Sequence, residues 1–190
     1  MRNNSVENTK YFMKMYPSWK EDWNRFARDV GKVRLDSEQQ EILYSIQTSR
    51  RTSVRSGTAR GKDFVGAIAS VCFLYLTVFD EDWNFYSTKV VNTAPTGRQI
   101  KNIMIPEISK FFVRGRNRGI LPGRMMSDGI RFEQSELRDW YLTGFKAGDD
   151  AVEAWSGIHA PNVMVVVTEA SGIDQIMFDS IEGILQGNSR

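Results

Sequence analysis

With 190 residues, 41% of them hydrophobic and 25% charged, the chain has the balance of an ordinary globular domain with a sizeable core. Its formal net charge of +2 does not by itself announce nucleic acid, so any contact with DNA must come from local clustering. The single cysteine, Cys72, excludes a disulfide within the chain, fits a reducing compartment and, inside an apolar run, reads as a small core residue.

The N-terminus is polar and charged, unlike a signal peptide. The longest apolar stretch, residues 64–79, is short for a membrane span and is interrupted by Gly66, Ser70 and Thr77, so a buried helix is expected and no membrane association. Residues 1–35 read as amphipathic helix: Tyr11, Phe12, Met15, Trp19, Trp23 and Phe26 recur at helical spacing, with a break expected at Pro17. This stripe is expected to dock on the main body. A second helix opens at Asp36 or Ser37, either of which can cap it, and carries Gln39, Gln40, Ile42, Leu43 and Ile46. Thr52-Ser53-Val54-Arg55 is a short strand candidate ahead of the apolar helix.

Further on, strands are expected over 89–93 and 162–167, helices over 97–112 and 173–185, and a Gly-, Pro- and Arg-rich loop over 115–129. Residues 130–134 and 140–145 read as an inserted hairpin joined through 135–139, and 149–156 as a short helix. Trp140, Tyr141 and Trp155 read as packing residues, and the only histidine, His159, as a packed residue ahead of the 162–167 strand. Alternating strands and helices predict a three-layer α/β fold with a mainly parallel sheet covered on both faces.

Two places carry chemistry. Ser56-Gly57-Thr58-Ala59-Arg60-Gly61-Lys62-Asp63 stands between the strand candidate and the apolar helix. A glycine-containing turn followed by a lysine and a helix N-terminus cradles phosphate, because backbone N–H groups and the helix dipole converge there. The usual pattern is G-x-x-x-x-G-K-[ST]. Here Ser56 replaces the first glycine and Asp63 the hydroxyl residue; the plainer alternative is a glycine-rich turn capped by Asp63, with Lys62 solvated. The second place is Val163-Met164-Val165-Val166-Val167-Thr168-Glu169, an apolar strand ending in a carboxylate. Such strands deliver an Asp to Mg²⁺ and a following Glu to the attacking water. Glu169 fits the second role, and Thr168 occupies the Asp position. The two departures are complementary: a carboxylate replaces a hydroxyl at 63, and a hydroxyl replaces a carboxylate at 168. The expectation is an exchange of roles, with Asp63 and Thr168 flanking the same Mg²⁺; two independent losses are the rival.

Gly157-Ile158-His159-Ala160 followed by Val165-Val166-Val167-Thr168-Glu169-Ala170-Ser171-Gly172-Ile173 resembles the phage terminase large subunit, with its "GFHA" segment before a "DEASGI" Walker B strand. Val54-Arg55-Ser56-Gly57 with Gly61-Lys62 is similar to that family's variable Walker A, Thr93-Ala94-Pro95-Thr96 with Gln99 to the segment after its second strand, and Glu38-Gln39-Gln40-Glu41-Ile42-Leu43 to its adenine-recognising glutamine motif. The resemblance covers roughly residues 35–187 and is most specific over 157–173.

The resemblance implies a P-loop ATPase of the ASCE type: a Mg²⁺-dependent motor that forms a homo-oligomeric ring on a portal, works with a small terminase subunit and drives double-stranded DNA into a procapsid in the host cell cytoplasm. It implies that ATP is held by residues 56–63, that Lys62 grips the β- and γ-phosphates, that Glu169 activates water, and that Gln39, or failing it Gln40, contacts adenine. Residues 1–50 would form the lid and 51–190 the ATPase core, a piece ending before the family's coupling motif and nuclease domain. Such a motor needs a cation on the γ-phosphate. Arg60 is the candidate within the loop; Arg114, Arg116, Arg118 and Arg124 are candidates for a finger to a neighbouring subunit or for DNA phosphates, the alternative being a solvated loop. Two other functions are kept open: a helicase-like ATPase, for which an Asp is missing at 168, and a nucleotide-binding module without turnover.

Overall fold

Two helices, α1 (Arg2–Glu21) and α2 (Trp23–Asp29), open the chain in the computed structural model, which describes residues 2–55, 57, 61–148, 155 and 157–186. Pro17 does not break α1. A proline inside a helix costs about 3 kcal/mol, and burial of Tyr16 and Trp19 on either side offsets it. The break falls instead at Asp22, whose carboxylate caps α2 by accepting from the Arg25 N–H at 3.0 Å. The Trp19 indole donates to Asp29 at 3.1 Å and so joins the two helices.

Helix α3 (Ser37–Thr48) is closed by a capping box. Asp36 accepts from the Gln39 N–H, and the Gln39 side-chain oxygen accepts from the Asp36 N–H. The Gln47 amide of α3 donates to the carbonyls of Lys20 and Glu21 and accepts from the Trp23 N–H, holding the α1–α2 junction. Helix α4 (Lys62–Leu76) is apolar on nearly every side and is covered accordingly.

The sheet runs in the order β2-β3-β4-β1-β5: β1 (Thr88–Ala94), β2 (Arg124–Met126), β3 (Gly129–Arg131), β4 (Tyr141–Lys146) and β5 (Asn162–Val167). β1 lies between β4 and β5, parallel to both, while β3 pairs antiparallel with β4 and with β2. The sheet is therefore mixed. The expected hairpin exists as β3–β4, but β4 belongs to the parallel centre and is no insertion. The expected loop over 115–129 also supplies the end of a helix and the edge strand β2. Between β1 and β2 the chain forms a short turn of helix, α5 (Gly97–Gln99), a π-helical stretch (Ile100–Met104) and α6 (Ile105–Asn117). Helix α7 (Gln175–Gln186) follows β5.

Alternation along the strands separates two cores. Val90, Ala94, Leu142 and Ile130 face α4, α6 and the aromatic stripe of α1 and α2. On the other face Val91, with Phe145, Val163, Val165 and Val167, packs under Met177, Ile181 and Ile184 of α7 and against Trp155 and Ile158. Helices thus cover both faces of an α/β sheet. Ser70 of α4 donates to the buried Asn92 of β1 at 2.8 Å, a polar pin inside the first core. Cys72 is buried there, and burial pushes its thiol well up. Among the described residues no helix is long and apolar enough to cross a membrane.

Thr52–Arg55 does not join the sheet. The segment is extended and its exposure alternates residue by residue, as in a strand, but it has no ladder partner among the described residues. Among the described residues β5 pairs on one side only, which leaves this most apolar strand half-buried at the edge of the described sheet. The 149–156 helix expected from the sequence lies, apart from Trp155, outside the described residues.

Trp19 tests whether the aromatic stripe is integral to the core. Its side chain is fully buried, so Trp19→Ala lowers unfolding stability by about 3–5 kcal/mol. Denaturant unfolding checks this, and a loss below about 1 kcal/mol would mean that α1 is not docked in solution.

Candidate functional site

The geometry starts from a missing side chain. A Cβ on Gly66, one turn into α4, would stand 3.3 Å from Val166 of β5. The glycine lets α4 lie close to the strand, and both elements then deliver their chemistry to the same end of the sheet. The N-terminus of α4 carries Lys62 and Asp63; the C-terminus of β5 carries Thr168 and Glu169. In α/β sheets the carboxyl ends of parallel strands are where ligands bind.

Gly61 caps α4 in a left-handed conformation (φ 74°) and accepts the first helical bond from the Val65 N–H. A Cβ there would fall 2.7 Å from Nε2 of Gln39, so the glutamine side chain lies directly over the turn. Gln39 therefore lies against the phosphate-loop candidate. Its carbonyl oxygen is engaged in the capping box, and its amide nitrogen faces Gly61. Gln40 instead donates to the Leu35 carbonyl at 2.8 Å. Gly57 is exposed, and a Cβ there would meet open space. Ser56, Thr58, Ala59 and Arg60 lie outside the described residues.

Asp63 is half-buried, and its carboxyl is raised above the ordinary range. Burial is the largest cause, the nearby charge of Glu169 adds to it, and Lys62 opposes it. The Asp63 carboxyl thus feels both Lys62, its neighbour in sequence, and Glu169, more than a hundred residues further along the chain. A hard cation bound with phosphate needs only one or two protein carboxylates. Asp63 and Glu169 bring two carboxylate charges to this place, and their mutual repulsion is what a cation would relieve. No cluster of three or more His, Cys, Asp or Glu is found among the described residues.

Thr168 ends the ladder by donating its N–H to the Thr93 carbonyl at 2.9 Å. Glu169 then turns the chain with left-handed angles (φ 52°, ψ 45°), unusual for a glutamate. Its carbonyl accepts from the Gly172 N–H at 2.9 Å. A Cβ on Gly172 would stand 2.8 Å from Pro95, which follows β1, so the turn is wedged against the neighbouring strand end. Gly66, Pro95 and Gly172 shape the site without being among the residues the sequence points to for chemistry: Gly66 stands there as an interruption of the apolar run, and Pro95 and Gly172 as members of the resembling blocks.

The arginine group is dispersed. Arg114 and Arg116 are on α6, Arg118 caps its end, and Arg124 begins β2. Arg114 donates to the Gly31 carbonyl at 3.2 Å, and Arg118 to the carbonyls of Asp29 and Val30. These two complement the negative end of α2; they are not side chains of a solvated loop. Arg116 and Arg124 are exposed. His159 is exposed rather than packed.

Two outcomes follow. Glu169→Gly removes the left-handed strain and raises unfolding stability by roughly 1 kcal/mol, read by chemical denaturation; a loss of similar size would show that the turn is unstrained. Because the folded state raises the Asp63 carboxyl, it binds that proton more tightly than the unfolded state does, and this destabilises the fold once pH exceeds the folded-state value. Asp63→Asn accordingly raises Tm at neutral pH, and the gain disappears as pH falls below the ordinary aspartate range. A gain independent of pH would contradict the electrostatic origin.

Comparison of the chain with protein-family models and with curated proteins finds no match.

Proposed function

We propose that the chain is a P-loop-type ATPase domain of the terminase large-subunit kind, coupling Mg²⁺-dependent ATP hydrolysis to translocation of double-stranded DNA. The observation that carries the nucleotide site is the meeting of Lys62 and Asp63, at the N-terminus of a long buried helix, with a strained Glu169 at the end of a parallel strand. The terminase assignment and its partners rest on the sequence resemblance over 157–173 and on the order of the four blocks.

The chemistry assigned to these residues is in-line attack of water on the γ-phosphorus. The water oxygen bonds to phosphorus, the bond to the β-bridging oxygen breaks, and ADP and phosphate leave. Glu169 accepts the proton of the attacking water. Lys62 and the N–H groups of the first turn of α4 hold the β- and γ-oxygens. Asp63 and Thr168 would hold Mg²⁺, which supplies neutralisation of the phosphate charge. Strain at Glu169 fits this reading, since left-handed non-glycine residues persist where the surroundings over-determine them.

Calorimetry with ATP, with and without Mg²⁺, tests the site. Mg²⁺-dependent binding is expected, and Lys62→Ala weakens it by at least about tenfold, the worth of one charge-assisted contact to phosphate. Failure of the well-folded chain to bind, or binding indifferent to Lys62, refutes the reading. The exchange of roles has its own test. Asp63→Ser and Thr168→Asp should each impair Mg²⁺-ATP binding, and the double variant should recover it; additive damage excludes the exchange.

A further inference from the structure

Two stretches of like charge meet at one corner of the molecule. Residues 28–34, at the end of α2 and beyond it, hold three cations, and residues 107–118, on α6 and its cap, hold four; the carboxylates among them are Asp29 and Glu107. Together the two stretches carry +5 in a chain whose net charge is +2. Both carboxylates are engaged within the fold. Asp29 accepts from the Trp19 indole at 3.1 Å and pairs with Arg25 at 3.5 Å, and Glu107 holds Lys110 at 2.6 Å.

Glycines allow the approach. A Cβ on Gly31 would fall 2.1 Å from the Phe111 ring, and one on Gly115 2.8 Å from Val30, so each stretch presents a glycine to the other. Arg114 then donates to the Gly31 carbonyl, and Arg118 to those of Asp29 and Val30. All of these bonds use Nη1, and a guanidinium has five N–H donors, so both cations are fixed in place with donors to spare. Lys32, next along the chain, has left-handed backbone (φ 52°), a strained conformation for a lysine. Lys32, Arg34, Lys110 and Arg114 rim a cavity of about 310 Å³ that Phe64 also lines, and all four, with Arg118, are exposed. Like charges gathered in this way repel, and an anionic partner relieves the repulsion.

Spacing decides the partner. Lys110, Arg114 and Arg118 stand four residues apart, so they form a row with about 6 Å between members and about 12 Å in all. The phosphates of one nucleotide form a single compact group and do not span such a row. Each strand of a DNA duplex carries a phosphate about every 3.4 Å along the axis, so the row runs beside about three or four of them. A single strand is held largely by stacking of its bases on aromatic rings. Phe111, the ring at the centre of this corner, is buried and has no face to offer. The corner is therefore equipped for phosphate alone, which a duplex presents at fixed intervals.

We propose that this corner, through Lys32, Lys110, Arg114 and Arg118, grips the phosphate backbone of double-stranded DNA without regard to sequence. The assignment rests on the DNA part of the reading above and is independent of its nucleotide part. Fluorescence anisotropy of a short labelled duplex, titrated with the whole chain at several salt concentrations and without nucleotide, tests it. Affinity is expected to fall as salt rises, equally for duplexes of unrelated sequence, and to be weaker for a single strand of the same length. The double variant Lys32→Gly, Lys110→Gln keeps the fold, since glycine suits the left-handed backbone and the Lys110 side chain is 62% exposed. It should flatten the slope of log affinity against log salt by about 0.9 for each cation removed. Lys62→Ala, which disables the ATP site, should leave duplex affinity within about twofold. If the duplex binds and the double variant keeps both affinity and slope, or if a single strand binds as tightly, this surface is overturned while DNA remains the partner. If the double variant weakens ATP binding in calorimetry and spares DNA, the cations serve the nucleotide and the assignment is likewise overturned. If no duplex binds even at low salt, the surface and the DNA part of the reading fall together, and the ATP site keeps its own test.

Discussion

The contact of Gly66 on α4 with Val166 on β5 sets the distance on which the candidate site depends. A helix normally stands off a sheet by the length of its side chains. Removing one side chain at the crossing lets the helix approach the strand, and the Ser70–Asn92 hydrogen bond holds it to the adjacent strand one turn further on. With α4 so placed, its first turn and the end of β5 reach the same space, and Asp63 comes under the charge of Glu169 as well as of Lys62. The site is therefore a consequence of packing geometry at residues that perform no chemistry themselves.

Strain is distributed in keeping with that arrangement. Among the described residues, Lys32, Trp83 and Glu169 are the non-glycine residues with left-handed backbone. Left-handed geometry costs an ordinary residue roughly 1–2 kcal/mol. At Trp83 the turn is enforced locally: Asp80 accepts from the backbone of Asp82 and Asn84 and from the side chains of Asn84 and Tyr86, which also holds its carboxyl below the usual range. At Glu169 a local bond, from the Gly172 N–H, is joined by a tertiary constraint, the wedge of Pro95 against Gly172. Lys32 borders the cavity beside α4.

The arginines illustrate how a charge cluster divides once folded. Arg114 and Arg118 are one helical turn apart on α6 and both donate to carbonyls at the end of α2. Each guanidinium answers the partial negative charge that a helix leaves at its C-terminus. Arg114 also remains on the cavity rim, so one side chain ties the N-terminal helices to α6 and bounds the space next to the phosphate loop.

Periodicity and capping chemistry in the sequence are sufficient for the α/β class, the buried helix after residue 61, the aromatic stripe, the Asp36–Gln39 start of α3 and the strand over 162–167, because these depend on interactions within a few residues. The residue types at 61–63 and 168–169 likewise single out the two segments that the fold brings to the same end of the sheet. Other features depend on partners distant in sequence. Thr52–Arg55 has the alternation of a strand, but a strand exists only with a ladder partner, and none of the described strands pairs with it. Pro17 is a helix breaker by local rules, yet burial of Tyr16 and Trp19 outweighs it. The antiparallel edge of the sheet, the division of the arginines, the wedge behind Glu169 and the cavity beside Phe64 are all contacts between elements remote along the chain. Local propensity carries no information about which distant residue will be the neighbour, and tertiary packing alone decided them.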